Sequence, residues 1–189
     1  MLLQVVGAGL GGTAELHSPM IVVETQRLTL RHLAETDASF LCRLFNEPSW
    51  LQNIGDRGVR TPEEAERYIQ SDVLKKYATQ GFGMYAVVAK IQEQPVGVCG
   101  LFQRDGLPTP DLGFALLPEY CGRGYAHEAA AAVMNYARTQ LGLANLLAIT
   151  SLNNNRSATL LLKLGFRFEK LIQLTPQDAE LKLYVAGPQ

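Results

Sequence analysis

The spacing of apolar residues changes several times along the chain, and each change marks an element. Met20 to Leu30 (MIVVETQRLTL) is rich in β-branched residues and alternates in its second half, which predicts a strand. Between Glu35 and Glu47, Phe40, Leu41, Leu44 and Phe45 fall on one helical face, and Pro48 ends the run. Thr61-Pro62-Glu63-Glu64 reads as a helix start, with a hydroxyl to cap the first turn, proline at the first position and a reciprocal Glu. The helix it opens is predicted to place Ala65, Tyr68, Ile69 and Leu74 on a core face and to end before Gly81. Gly83 to Lys90 and Pro95 to Gln103 return to strand character and are joined by a short polar turn, as in a hairpin. Asp111 to Leu117 is a further strand, and Gly124 to Leu141 an alanine-rich helix stopped by Gly142. Asn145 to Thr150 reads as a buried strand and Ser157 to Leu164 as a short helix stopped by Gly165. Phe166 to Leu171 and Leu181 to Val185 are closing strands.

No repeat and no linker divides this series. The expectation is one α+β domain over residues 20–189, preceded by a Gly-rich extension at residues 1–19. Composition narrows the class. Apolar residues at 47% are too many for a disordered chain, and 189 residues bury enough surface to need no metal or disulfide staple. Seventeen Lys and Arg face eighteen Asp and Glu with no basic run, which argues against a nucleic-acid partner held by phosphate charge. Cys42, Cys99 and Cys121 form no CxxC pair, and no His accompanies them, so no zinc site is expected. The first basic residue is Arg27, and no apolar run reaches membrane-spanning length. A soluble, cytoplasmic protein is expected, with no membrane partner.

Two glycine-rich segments compete for a ligand. Gly7-Ala8-Gly9-Leu10-Gly11-Gly12 matches the dinucleotide-binding pattern, but any helix after it must end before Ser18-Pro19, too soon to cross a sheet. Tyr120-Cys121-Gly122-Arg123-Gly124-Tyr125-Ala126 is better placed, directly after a strand and directly before a long helix. Its glycines let the backbone turn tightly, and the amides of the first helical turn converge where the helix dipole favours an anion. Arg123 would add a charge-assisted contact.

Downstream come an apolar strand, the polar run Asn153 to Ser157, a short helix and Leu164-Gly165-Phe166. Together these motifs resemble the GNAT superfamily of acetyl-CoA-dependent N-acetyltransferases, and most closely the branch of the ribosomal-protein N-terminal acetyltransferases. The opening strand of that branch is similar to Glu24-Thr25-Gln26-Arg27-Leu28 with Leu30-Arg31. Its helix start is similar to Gly124-Tyr125-Ala126-His127-Glu128-Ala129, and its later signature to Asn154, Ser157 and Leu164 to Phe166.

The resemblance implies a mixed, mostly antiparallel twisted sheet flanked by helices. It implies that the backbone of Cys121, Gly122, Arg123, Gly124, Tyr125 and Ala126 holds the pyrophosphate of acetyl-CoA, although Cys121 replaces the family's usual Gln or Arg. Phe114, Ala115, Leu116 and Leu117 would pair with the pantetheine arm, and Asn154 would reach it. Many relatives protonate the departing thiolate with a Tyr that is Leu161 here. Ser157 is the nearest substitute, and its alternative role is to cap the short helix. Asp111, where some relatives carry an acidic residue, is the candidate base, against the alternative of a solvated strand end.

The acceptor cleft of the family maps to Asn46 to Arg60. There Trp50, Asp56 and Arg57 are the candidate substrate contacts, and the alternative for Trp50 is packing over the core. An α-amine is more than ~10% neutral at pH 7, whereas a lysine amine is below ~0.1% neutral. A site without an obvious strong base therefore suits a protein N-terminus. The runner-up is a small amine such as an amino acid, polyamine or drug, and a different class is a CoA-binding protein without catalysis. A monomer or homodimer is expected.

Overall fold

The structure, a computed structural model, describes residues 19–187. Eight strands form one sheet: β1 (Ile21–Glu24), β2 (Leu28–His32), β3 (Met84–Ala89), β4 (Gln94–Phe102), β5 (Asp111–Leu116), β6 (Leu146–Ser151), β7 (Arg167–Ile172) and β8 (Leu181–Ala186). Their order is β1-β2-β3-β4-β5-β6-β8-β7, and every neighbouring pair is antiparallel except β5 and β6. Helices α1 (Ala38–Phe45), α2 (Pro48–Asn53), α3 (Pro62–Tyr68) and α4 (Leu74–Gln80) lie between β2 and β3, α5 (Tyr125–Thr139) crosses from β5 to β6, and α6 (Asn155–Lys163) follows β6.

Strand alternation explains the two cores. Tyr85, Val87 and Ala89 of β3 join Ala129, Val133 and Leu161 of α5 and α6. Met84 and Ala86 point the other way, onto Leu41, Phe45, Ala65 and Ile69 of the first helices and the turn that follows. A strand covered on both faces is apolar throughout, which is why β3 reads MYAVVA rather than alternating.

Three local readings differ from the sequence expectation. Met20 to Leu30 is two strands, because the Thr25 hydroxyl accepts the Leu28 amide at 2.9 Å and the chain reverses there. Pro48 ends the first run but also opens α2 at its first turn, where its missing amide is harmless. A π turn over Ile69–Val73 separates α3 from α4. The wider turn shifts the buried face by one residue, so Val73 is 2% exposed and Leu74 is 37% exposed. The capping box at Thr61 and Glu64 forms as the spacing requires. The glycines at positions 7 to 12 lie outside the described residues.

Candidate active site

β4 and β5 pair residue by residue from Gly97↔Leu116 to Phe102↔Asp111, whereas β5 and β6 meet only at Asp111↔Leu147. Past that point the strands diverge, and one backbone edge of β5 has no strand beside it among the described residues. A cavity of about 850 Å³ opens in the gap, walled by β5, the first turn of α5, β6, α6 and α2 with the loop after it. Phe114, Ala115 and Leu116 line it, while Leu117 is buried in the core under the first helices.

The loop before α5 shapes one wall. Gly122 and Gly124 have φ of 77° and 81°, a left-handed conformation that favours glycine. The first helical bond is Glu128 N–H to Gly124 C=O at 3.0 Å, so the amides from Gly122 to His127 have no acceptor among the described residues. Six open donors at the start of a fifteen-residue helix suit a phosphate. Those amides, and the free β5 edge leading toward them, fit the pyrophosphate and extended arm of acetyl-CoA. Cys121, Gly122, Gly124, Tyr125 and Ala126 line the cavity. Arg123 does not: its guanidinium lies over the Tyr120 ring, 5.4 Å from the centroid, and its carbonyl accepts from Arg27 Nη1 at 2.8 Å.

Glu128, one turn into α5, holds the loop to the opening turn of the chain. Its Oε1 accepts the Thr25 hydroxyl at 2.6 Å and the Arg27 amide at 2.9 Å, and its Oε2 accepts Arg27 Nε at 2.6 Å. Partial burial pushes the Glu128 carboxyl up, and the Thr25 and Arg27 donors outweigh it, leaving the pKa lowered. Sequence reasoning singled out both segments as motifs without seeing that they bind each other. Their joint presence was the available signal.

Asp111 begins β5 and is 1% exposed, so it is no solvated strand end. Its Oδ1 accepts Arg104 Nε at 2.8 Å. Burial raises its pKa, and the Arg104 charge and hydrogen bond oppose the rise. Asn154, not Ser157, caps α6: its Oδ1 accepts the Ser157 amide at 3.1 Å. The residue just before the first helical turn holds the cap, and Asn is among the best formers of it. The Ser157 hydroxyl therefore has no partner among the described residues, and both residues line the cavity. Leu161 also lines it and is 1% exposed, an apolar group where many relatives are expected to carry the acid.

On the opposite wall, Trp50 stands on α2 with 4% exposure, its ring 4.7 Å from that of Phe45. It is a core residue rather than an exposed loop contact, yet its indole Nε1 is buried without a partner among the described residues, and the residue lines the cavity. Arg57 lines the cavity as well. Asp56 does not, because its carboxylate is turned to Arg60 and to the Gly58 amide. Sequence reasoning missed Thr150, whose buried hydroxyl has no partner among the described residues and which lines the cavity. A Thr inside an apolar strand run gave no signal of its own. Among the described residues no group of three His, Cys, Asp or Glu is arranged to hold a metal, and no helix is long and apolar enough to cross a membrane.

Comparison with known proteins agrees with this architecture. Residues 27–167 match the family model described as the acetyltransferase (GNAT) domain. An uncharacterized N-acetyltransferase of Bacillus subtilis, YoaA, is 26% identical over 155 residues, 80% of this chain and 86% of that protein. The crystal structure of an acetyltransferase from Agrobacterium tumefaciens is 27% identical with a TM-score of 0.70, covering 87% of this chain and 92% of the other. RimL, a ribosomal L7/L12 α-N-protein acetyltransferase, shares the fold at a TM-score of 0.76 and 18% identity, with 97% and 99% covered. Orphan amides at a helix start, a sheet that opens beside them and a family match over most of its length identify this chain as a GNAT N-acetyltransferase.

Proposed function

We propose that the enzyme acetylates the N-terminal α-amine of a protein. The observation that carries this reading is the charge of the cavity wall. Its carboxylates are Asp111, bound to Arg104, and Asp178, whose Oδ2 accepts the Thr175 amide. Arg57, Arg104, Arg156 and Lys163 line the same space. Such a wall repels a polyamine, which carries several positive charges. Its buried carboxylate, Asp111, is held by Arg104 and is a modest base, better matched to a weakly basic amine than to a lysine. An α-amine near pKa 7.8 is already about a tenth neutral at pH 7 and needs less help.

When bound, acetyl-CoA supplies the acyl group as a thioester. The amides of Gly122 to Ala126 hold its pyrophosphate, and the open edge of β5 at Phe114 to Leu116 orients its arm, with Leu117 anchoring the strand end in the core. Asn154 keeps its amide nitrogen for the same arm while its oxygen caps α6. Asp111 takes the proton from the acceptor amine through water, and burial brings its basicity closer to that of an amine. Ser157 is the proton donor to the departing sulfur. A thiol with pKa near 8.5 needs little such help, which makes Leu161 tolerable. Trp50 and Arg57 border the acceptor.

Thiol release from acetyl-CoA, followed across N-terminal peptides, spermidine and Nα-blocked lysine, tests the reading. Turnover of peptides well above the other two is expected. Faster turnover of spermidine or blocked lysine would overturn it.

A further inference from the structure

A second cavity of about 90 Å³ shares part of its wall with the large one, and Arg57, Met84, Phe102 and Arg104 line both. The loop between α2 and α3 is built to hold Arg57 at this boundary. Gly55 and Gly58 turn the chain with φ of 109° and 68°, Asp56 binds Arg60, and the Asn46 side-chain amide donates to the Val59 carbonyl at 2.8 Å. Both flanks of Arg57 are therefore tied down. Its own guanidinium makes no hydrogen bond or ion pair with the described residues, whereas the neighbouring charges Asp56 and Arg60 satisfy each other.

Arg104 is fixed from the other side. It lies over the Phe102 ring, 5.5 Å from the centroid, and its Nε is committed to Asp111. Its two terminal nitrogens have no acceptor among the described residues. Lys76, the third cation lining the small cavity, is bound to Asp72 at 2.8 Å. Two guanidinium ends thus remain open on one wall, beside the half-buried Tyr68. Burial pushes the Tyr68 phenol up to about 12, against the pull of Arg57, so it stays a neutral donor. Guanidinium N–H groups in a planar fork match a carboxylate better than any neutral acceptor.

We propose that Arg57 and Arg104 form a carboxylate subsite, so that the preferred acceptor carries an acidic group close to its amine. Resting on the N-terminal reading above, this means a protein N-terminus whose first or second residue is Asp or Glu. The free α-carboxylate of an acidic amino acid has the same chemistry and is distinguished by experiment.

The test compares initial rates on three C-terminally amidated peptides that begin with alanine followed by glutamate, alanine or lysine, together with free glutamate and spermidine. Each is run on the parent enzyme, Arg57→Gln and Arg57→Lys, with melting curves in acetyl-CoA to confirm folding. A kcat/KM for the glutamate peptide on the order of tenfold above the alanine peptide is expected, carried by KM, equivalent to one good charged contact. The ratio falls toward one in Arg57→Gln, is partly kept in Arg57→Lys and shrinks as salt rises. Equal rates on all three peptides would overturn the subsite and leave the N-terminal reading standing. Turnover of glutamate alone, dependent on Arg57, would uphold the subsite and overturn the N-terminal reading. Preference for spermidine would overturn both.

Discussion

Arg27 and Glu128, 101 residues apart, are joined through the Arg27 amide, Nε and Nη2, the last at 2.6 Å from Oε2. Since Arg27 also donates to the Arg123 carbonyl, one side chain fixes both the helix start and the loop before it. Glu128→Gln is expected to lower stability by about 1–2 kcal/mol, toward the smaller figure because Arg27 is partly exposed. A denaturant titration measures the loss, and weaker CoA binding should accompany it. The Glu128 pKa is lowered in the folded state, so this stability is present above its unfolded value of 4.5 and fades as pH falls through the folded value. Parent and Glu128→Gln should therefore converge in stability in acid. Divergence there would contradict the clamp.

Gly122 and Gly124 differ in what surrounds them. A Cβ at Gly122 meets nothing within 4 Å, whereas one at Gly124 meets Arg27 Nη2 at 3.2 Å. Both alanine variants carry the left-handed strain of about 1–2 kcal/mol. Gly124→Ala should in addition displace the clamp, so calorimetric titration with CoA is expected to show the larger affinity loss in that variant.

Asp111→Asn separates chemistry from folding. If Asp111 is the proposed base, its loss should reduce kcat/KM by about 100-fold or more and remove the acid limb of the pH–rate profile. Because burial raises the Asp111 pKa, folding favours its protonated form relative to the unfolded chain. Asp111 then withdraws stability as pH rises from the unfolded value of 3.8 through the raised one. The variant should show a flatter melting temperature over that window, and an unchanged slope would count against the assignment.

Asn154 and Ser157 are separable in the same way. Asn154→Ala removes the cap of α6 and should destabilise by about 1 kcal/mol. Ser157→Ala keeps the capped amide, so its melting temperature should match the parent while its turnover falls. A stability loss in Ser157→Ala as large as in Asn154→Ala would restore Ser157 as the cap.

The π turn makes a prediction that a regular helix would reverse. Val73→Ala, at a 2% exposed site, should cost about 2 kcal/mol, and Leu74→Ala less than about 1. Thermal unfolding of the two single variants decides between the registers.

Elements with a strong period or a punctuating residue were legible in the sequence. The capping box at Thr61, the alanine-rich helix after Gly124 and the double-faced strands each carry a local cause that survives packing. What escaped depends on tertiary contact. Nothing local shows that Thr25 will fold back on its own strand, that an extra residue will enter the turn at Ile69, or that Asp56 will choose Arg60 and leave Arg57 free. The loop before α5 stood out as a candidate anion cradle because the chemistry ascribed to it lies in consecutive backbone amides. The acceptor wall could not, since Arg57, Arg104, Asp111 and Thr150 come from four segments that only the folded sheet brings together.

The divergence of β5 from β6 has one more consequence. An unpaired strand edge at the rim of a sheet invites sheets of other molecules to add themselves. Here the open edge lies in the middle of the sheet, between two strands that are themselves paired on their far sides. A slender, flexible chain can enter such a cleft lengthwise, but the flat flank of another protein cannot. The described strands thus keep a hydrogen-bonding surface open to a slender ligand while shielding it from edge-to-edge pairing with another sheet.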